Sequence, residues 1–188
     1  MAIDMGTGDG RAVIAAAAAA PGTLVIGIDA DAASMAESAR RAARPERRGG
    51  LANVLFVVAA AEAMPAELAS VADRVTVTLP WGSLLRGVLG SDASVAAGLA
   101  ALLRPAATLE ILLAPSPRDR LDGLPTDLGE VAQAVAGAFR SLGLQLAEAR
   151  LATEAELRAT RSTWARRLLA GGPSRAADRP AIIVRLRS

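Results

Sequence analysis

Short, continuous apolar runs alternate along the chain with segments in which alanine and polar residues recur at helical spacing. The apolar runs predict seven strands, at residues 2–5, 24–28, 54–58, 75–79, 109–113, 144–151 and 182–186. The segments between them predict helices at residues 11–20, 32–44, 93–103, 128–142 and 154–169. Continuous apolar strands separated by helices are typical of a mainly parallel sheet covered on both faces.

The last two predicted strands depart from this alternation, because a long excursion joins them. We expect them to form an antiparallel hairpin at one edge of a seven-stranded sheet. The chain, residues 1–188, is expected to fold as a single α/β domain. Ligands of such sheets bind beyond the carboxyl ends of the strands, so the loop that follows each strand is where chemistry is expected.

Targeting and membrane signals are weak in this sequence. The uncharged stretch 12–28 has 17 residues, but Pro21 and Gly22 interrupt it. Asp4 and Asp9 precede it, whereas a signal peptide would begin with a basic region. We therefore expect no membrane contact and a cytoplasmic protein.

The amino-acid composition excludes several kinds of catalytic residue. The chain has no cysteine, histidine, tyrosine or lysine. A cysteine nucleophile, a histidine base, a Schiff-base lysine and a zinc–thiolate site are therefore excluded, and we expect no metal. Carboxylates, hydroxyls, arginines, backbone amides and two tryptophans remain for chemistry.

All 21 basic residues are arginines, and they are concentrated in two stretches. Residues 150–188 carry a net charge of +6 and residues 37–50 carry +3, so the rest of the chain is acidic. This distribution suits a polyanionic partner, because arginine binds phosphate in a bidentate manner. An equally weighted interpretation is that arginine replaces lysine on ordinary helix surfaces.

The loop after the first predicted strand contains three alternating glycines, in the run DMGTGDG that begins at Asp4. Glycines at Gly6 and Gly8 let the backbone approach a ligand closely. Asp29 ends the second predicted strand, where a carboxylate can accept hydrogen bonds from ribose hydroxyls. This spacing resembles that of Rossmann-like methyltransferases that use S-adenosylmethionine, and the alternative is a glycine turn without a ligand.

Two further loops line the same predicted edge. The third loop carries Ala61 and Glu62, and in a methyltransferase the adenine ring of the cofactor would lie there. Glu62 could instead simply start a helix, where an acidic residue is favoured. In the fourth loop, Leu79 stands before Pro80 where enzymes that alkylate amines have a polar residue. A ring nitrogen with a free lone pair is therefore the better acceptor, and it needs no general base.

The two tryptophans lie in places that matter for this interpretation. Trp81 follows Pro80 in the acceptor loop, and Trp164 lies in the arginine-rich stretch near the carboxyl terminus. Two indoles beside a methyl donor suggest a sandwich for a flipped base. The alternative is that both are packing residues.

The chain resembles the aminoglycoside-resistance 16S rRNA methyltransferases of the kanamycin–apramycin type, which methylate N1 of a decoding-site adenine. The resemblance covers nearly the whole chain and is carried by the runs DMGTGDGR, GIDAD, NVLFVVAAAEAMP, VTVTLPWGSLLRGVLG and STWARRL. It implies a Rossmann-like, class I methyltransferase fold, S-adenosylmethionine as cofactor, the small ribosomal subunit as partner, and a monomer.

The resemblance also assigns roles to individual residues. Cofactor contacts are implied for Asp4, Gly6, Gly8, Asp29, Ala61, Glu62, Thr78 and Ser83. Trp81 and Trp164 would clamp the flipped adenine, and Ser162 would order the second of these loops. Contacts with RNA phosphates are implied for Arg40, Arg41, Arg44, Arg47, Arg48, Arg166 and Arg167.

One departure from the family pattern is expected to matter. Family members usually carry an N-terminal hairpin before the glycine loop, whereas Asp4 is already the fourth residue here. Two alternatives to the leading function remain open at this point. One is a transfer-RNA guanine-N7 methyltransferase, and the other is an RNA-recognition protein that binds the cofactor but catalyses weakly.

Overall fold

The computed structural model describes residues 1–115, 125, 127–170 and 180–188. Its centre is a seven-stranded sheet in the order β3-β2-β1-β4-β5-β7-β6. The strands are β1 (Ala2–Met5), β2 (Val25–Asp29), β3 (Val54–Val58), β4 (Ala72–Thr78), β5 (Leu103–Leu113), β6 (Gln145–Leu151) and β7 (Ile182–Arg187). The predicted α/β fold with a mainly parallel sheet is confirmed.

Seven α-helices connect and cover these strands within the described residues. They are α1 (Arg11–Ala19), α2 (Ala32–Ala42), α3 (Gly82–Val88), α4 (Ala93–Ala101), α5 (Leu128–Arg140), α6 (Glu154–Ala159) and α7 (Thr163–Ala170). Three short 3₁₀ turns lie at Glu46–Arg48, Ala61–Ala63 and Ala66–Leu68.

Alternate residues of the strands build different hydrophobic clusters, because successive side chains point to opposite faces of a sheet. Ile3, Val75 and Ile111 belong to the large cluster with α3, α4 and α5. On the other face, Val25 packs with α1, whereas Ile183 packs with α6 and α7. The second face is therefore covered by two separate groups of helices, near its two edges.

The predicted antiparallel edge is confirmed, with a detail that the sequence did not give. β7 pairs antiparallel with β6, and it also pairs antiparallel with β5. The reversed strand is therefore inserted inside the sheet, and β6 forms the edge.

Three differences from the predicted elements stand out. The helix expected at 154–169 is broken into α6 and α7, because Arg161 has a φ of +54°. The helix expected at 93–103 ends at Ala101, because β5 already begins at Leu103 and includes Pro105. Helix α3 was not expected, since its residues follow Pro80 and Trp81 in a segment that was predicted to be a loop.

In the described part of the chain, no single helix has the length and apolar character needed to cross a membrane. Helices α3 and α4 reach that length and composition only as a pair, bent by 82°.

Candidate active site at the carboxyl end of the sheet

A cavity of about 720 Å³ opens at the carboxyl ends of β1, β2 and β4. This volume lies in the range of small-molecule sites in proteins. The residues predicted to contact the cofactor or the target base all line it: Asp4, Gly6, Gly8, Asp29, Ala61, Glu62, Thr78, Trp81, Ser83, Ser162 and Trp164. Five separate parts of the chain are thereby brought to one place.

The glycine loop is held against the sheet by its own backbone. The N–H of Gly6 donates to the carbonyl of Ile28 at 2.8 Å. Gly10 has a φ of +69°, and a Cβ there would lie 2.6 Å from the ring of Phe56. Neither the conformation nor the space admits a larger residue at Gly10, so glycine is required where the loop enters α1.

Asp29 fixes the same loop from the neighbouring strand. One carboxylate oxygen accepts a hydrogen bond from the N–H of Gly8 at 2.8 Å, and the other accepts from the N–H of Asp31 at 2.9 Å. Carboxylates oriented by backbone amides form strong, charge-assisted hydrogen bonds. The Asp29 side chain is therefore preset at the wall of the cavity, with lone pairs left for a ligand.

Asp4 lines the cavity near the carboxyl end of β1 and is half-buried. Burial raises the pKa of Asp4, the hydroxyls of Thr7 and Thr76 lower it, and the charge of Asp29 raises it again. The hydroxyl of Thr76 donates to Asp4 at 2.9 Å. A buried carboxylate near a second carboxylate favours a positively charged ligand, which would offset both causes of the raised pKa.

The residues of this wall fit the methyl donor that the sequence suggests. The buried hydroxyl oxygen of Thr7 has no hydrogen-bond partner among the described residues, although it lies close enough to Asp4 to influence its pKa. A Cβ on Gly8 would meet no protein atom within 4 Å, so the space beside the loop is open. An unsatisfied buried hydroxyl is costly, and a bound polar ligand would satisfy it.

The third loop lines another side of the cavity. Ala61 is buried, and α4 packs directly on it, since a Cβ on Gly98 would fall 1.8 Å from the Ala61 carbonyl oxygen. Glu62 follows in the same 3₁₀ turn and is exposed. Ala61 is thus packed closely against α4, and Glu62 lies in the first turn of a short 3₁₀ helix, a position that the alternative interpretation also allows.

Trp81 stands at the mouth of the cavity. Leu79 has a φ of +50° and Gly82 a φ of +60°, so the backbone turns sharply on both sides of the indole. The Leu79 N–H remains bonded to the carbonyl of Leu112 at 2.7 Å. The Trp81 side chain is 75% exposed, which argues against the packing interpretation.

Trp164 also lines the cavity, on the first turn of α7. The hydroxyl oxygen of Ser162 accepts hydrogen bonds from the N–H of Trp164 at 3.2 Å and of Ala165 at 3.4 Å. Ser162 thereby caps α7, as serine does at helix N-termini. Ala165 is fully buried, whereas Trp164 is 52% exposed, so the helix is anchored by one face and presents its indole on another.

The predicted RNA-binding arginines form two groups. Arg40, Arg41, Arg44 and Arg48 surround a shallow depression on α2 and the turn that follows it, and Arg47 is exposed beside them. Arg166 is exposed on α7, next to the cavity rim. The side chain of Arg167 lies outside the described residues. The roles of these arginines remain predictions.

Sequence reasoning did not single out Thr7, Asp9 or Thr163, which also line the cavity. Thr7 and Asp9 alternate with the glycines of the loop, and Thr163 precedes Trp164. Their position within both runs was the available signal. In the described residues no group of three or more carboxylates could hold a metal ion.

Comparisons with known proteins identify relatives of this chain. The family model for NpmA, 16S rRNA (adenine(1408)-N(1))-methyltransferase, matches residues 1–180. The 16S rRNA (adenine(1408)-N(1))-methyltransferase of Streptoalloteichus hindustanus is 37% identical over 172 residues, which are 88% of this chain and 79% of that protein.

Solved structures agree with the sequence match. A crystal structure of a mutant 16S rRNA (adenine(1408)-N(1))-methyltransferase from Catenulisporales acidiphilia, with cosubstrate SAM, has a TM-score of 0.86 and 36% identity. It matches all of this chain, which covers 84% of that one. The aminoglycoside resistance methyltransferase NpmB1 has a TM-score of 0.80 and 38% identity, with coverage of 100% and 86%. The chain therefore belongs to the 16S rRNA (adenine(1408)-N(1))-methyltransferase family.

Proposed function

We propose that this protein transfers a methyl group from S-adenosylmethionine to N1 of adenine 1408 of 16S rRNA in the small ribosomal subunit. One observation carries the proposal. Two exposed indoles, Trp81 and Trp164, lie on the rim of the same cavity whose wall holds Asp4 and Asp29. Donor and acceptor sites are thus supplied by a single opening.

Different residues of the cavity wall would bind different parts of the methyl donor. S-adenosylmethionine, when bound, supplies an electrophilic methyl group on a positively charged sulfur. Asp29, preset by Gly8 and Asp31, would accept the ribose hydroxyls. Asp4 and Thr7 would receive the charged amino acid end, and Ala61 with Glu62 would border the adenine ring. Thr78 and Ser83 would line the remaining side.

The acceptor side needs positioning more than proton transfer. N1 of adenine carries an in-plane lone pair, so no proton has to leave it when the new bond forms. The lack of histidine, lysine and tyrosine in this chain is therefore no obstacle. Trp81 and Trp164 would hold the flipped base by stacking, and orientation of this kind is a large source of rate.

The indoles also suit the charge that develops on the base. Methylation at N1 leaves the adenine ring positively charged, and an indole face attracts cations. Stacking between two indoles therefore favours the methylated base electronically as well as sterically. An amine acceptor would lack this advantage, and Leu79 offers it no polar side chain.

The arginines supply the attraction for the ribosomal subunit. Arg40, Arg41, Arg44, Arg47 and Arg48 on one side and Arg166 with Arg167 on the other would bind phosphates of 16S rRNA. We expect binding to weaken steeply with salt, as counterion release requires. Modification of the decoding site is then expected to confer aminoglycoside resistance, as the name of NpmB1 states for that protein.

Transfer to tRNA guanine N7 and cofactor binding with weak catalysis are not favoured. The matched relatives are named for 16S rRNA adenine and as methyltransferases. A direct test offers tritiated S-adenosylmethionine to purified small subunits, free 16S rRNA and total tRNA in parallel. We expect about one methyl group per small subunit, located at adenine 1408. Label that enters only tRNA, or no label at any enzyme excess, would refute the proposal.

A further inference from the structure

A hydrogen bond joins the glycine loop to the helix that carries Trp164. The hydroxyl of Thr163 donates to a carboxylate oxygen of Asp9 at 3.1 Å, across 154 residues of sequence. Asp9 lies between Gly8 and Gly10 of the cofactor loop, and Thr163 is the residue before Trp164. The bond therefore links the two halves of the cavity through side chains of their own.

Asp9 is the fixed end of this bond. Its second carboxylate oxygen accepts from the N–H of Arg11 at 3.1 Å. Its backbone carbonyl accepts from the hydroxyl of Ser38 at 2.6 Å, and Ser38 is buried. Gly10, the next residue, packs so close to the ring of Phe56 that a Cβ there would lie 2.6 Å from it. The loop thus offers a rigid acceptor.

The direction of the bond is set by its other neighbour. A guanidinium N–H of Arg166 donates to the Thr163 hydroxyl oxygen at 3.2 Å. Since guanidinium groups only donate, the single hydroxyl hydrogen of Thr163 is available for Asp9. Charge flanks the hydroxyl on both sides, with the cation donating and the anion accepting, and charge-assisted bonds of this kind are stronger than neutral ones.

Helix α7, which carries Trp164, is short, and the Asp9–Thr163 bond adds to the buried Ala165 in fixing it. Helix α7 has 8 residues and begins after Arg161, whose φ of +54° breaks the path from α6. The direction of α7 is therefore not set by that of α6.

The charge of Asp9 is balanced by neighbouring arginines. A carboxylate near an RNA-binding surface is unfavourable by itself, but Arg11, at 3.6 Å from Asp9, and Arg166 lie beside it.

We propose that Asp9 and Thr163 are positioning residues that hold Trp164 at the cavity through their hydrogen bond. Occupation of the glycine loop by the donor would then also steady Trp164, because both depend on the same loop. The turnover part of the test rests on the proposed function, whereas the fluorescence part does not.

The fluorescence test uses the composition of the chain. With no tyrosine and two tryptophans, Trp81→Phe leaves Trp164 as the only indole that emits. In that background we expect Thr163→Val to lower the steady-state anisotropy of Trp164, and Thr163→Ser to restore it. We also expect S-adenosylhomocysteine to raise the anisotropy, and to raise it less in Thr163→Val.

Turnover on small subunits is measured in the chain that keeps Trp81. We expect Thr163→Val to lower kcat roughly three- to tenfold, as the loss of one such hydrogen bond implies, and to leave S-adenosylhomocysteine affinity within twofold. Asp9→Ala should lower kcat similarly. Thr23→Val is the matched control, because Thr23 lies before β2 at the opposite end of the strand from the cavity.

The outcomes separate the two claims. Unchanged anisotropy and kcat in a folded Thr163→Val protein would overturn the positioning role, as would a loss of cofactor affinity equal to the loss of kcat. If the parent chain methylates no subunits, the proposed function fails, and the anisotropy of Trp164 alone decides the positioning role.

Discussion

The two halves of the cavity are built in different ways. On the donor side, the glycine loop and Asp29 are tied to the sheet by backbone hydrogen bonds, as between Gly6 and Ile28. On the acceptor side, Trp81 and Trp164 are exposed and follow breaks at Leu79 and Arg161. One half is preset by the main chain, and the other is presented to the solvent by short helices.

This difference suits what each half has to meet. A small cofactor is bound best by a rigid site, because rigidity lowers the ordering cost of binding. A base extruded from folded RNA is recognised by stacking on aromatic side chains, which must be exposed to receive it. We therefore expect changes at Asp29 to alter cofactor affinity, and changes at the two indoles to alter turnover with little effect on cofactor affinity. Asp9, whose side chain joins the two halves, is the exception.

The largest effect is expected from Asp29→Ala. This change removes two charge-assisted hydrogen bonds that fix the loop, together with the proposed ribose contact. We expect S-adenosylhomocysteine to bind about 100-fold more weakly in calorimetry. Asp92→Ala is the control, because Asp92 likewise accepts from a backbone N–H, at the start of α4, but does not line the cavity. Equal losses in both variants would remove the assigned role.

Trp164→Ala tests the acceptor half of the cavity. Loss of one stacking surface is expected to lower turnover on small subunits about 10- to 100-fold. Cofactor affinity should stay within twofold, and Trp164→Phe should be intermediate. A variant that loses cofactor affinity as strongly as turnover would show that the two halves are not separate.

The sequence predicted the donor half better than the acceptor half, for a physical reason. Glycine spacing and the acid that ends β2 are local patterns, and a parallel sheet brings strand ends together. Trp164 is far from Trp81 in sequence, and the helix that carries it follows a break at Arg161, which residue propensities do not predict. The Asp9–Thr163 bond was invisible for the same reason.

For the fold, likewise, the sequence predicted the local elements but not the pairing between distant segments. Strand positions followed from apolar runs, and the antiparallel edge followed from the broken alternation. The insertion of β7 between β5 and β6, and the early start of β5 at Leu103, depend on pairing between distant segments. Helix α3 was missed because its residues follow Pro80 and Trp81 and start at Gly82.

The arginines of α2 and of the turn that follows it should affect RNA binding without affecting either half of the cavity. We expect Arg40→Gln together with Arg44→Gln to weaken small-subunit binding and to reduce the salt slope by about 1 to 2. Filter binding over a range of salt concentrations measures both. Arg140→Gln is the control, since Arg140 ends α5 at the opposite edge of the sheet. An unchanged slope would exclude phosphate contacts by α2.

A smaller effect is expected from Asp4→Asn, and its sign is diagnostic. Burial raises the pKa of Asp4 in the folded protein, so its charge destabilises the fold above the pKa of the unfolded chain. We expect the substitution to raise Tm at pH 7, by about 2–4 °C for each kcal/mol relieved, and to weaken cofactor binding. A lower Tm in differential scanning fluorimetry would contradict the claim that the charge of Asp4 destabilises the fold.

The smallest effect concerns Glu156 in α6, outside the cavity. The guanidinium of Arg150, followed by the N–H and hydroxyl of Thr153, lowers the pKa of Glu156 to about 2. Its stabilising contribution is therefore present above the ordinary value near 4.5 and is lost as pH falls towards 2. We expect Glu156→Gln to flatten the decrease of Tm across that window.

Glu154→Gln is the matched control for this prediction, because Glu154 lies in the same helix and pairs with Arg158 at the surface. It should leave the acid dependence of Tm unchanged. Equal flattening in both variants would remove the special role of the Arg150–Glu156 pair.

Mass mapping of 16S rRNA from cells that express the protein tests the central claim most directly. We predict one added methyl group on adenine 1408, at N1, which blocks Watson–Crick pairing and arrests reverse transcription there. The modification should be strongly reduced when either Trp81 or Trp164 is replaced by alanine. Methylation at another nucleotide, or full modification without both indoles, would contradict the account.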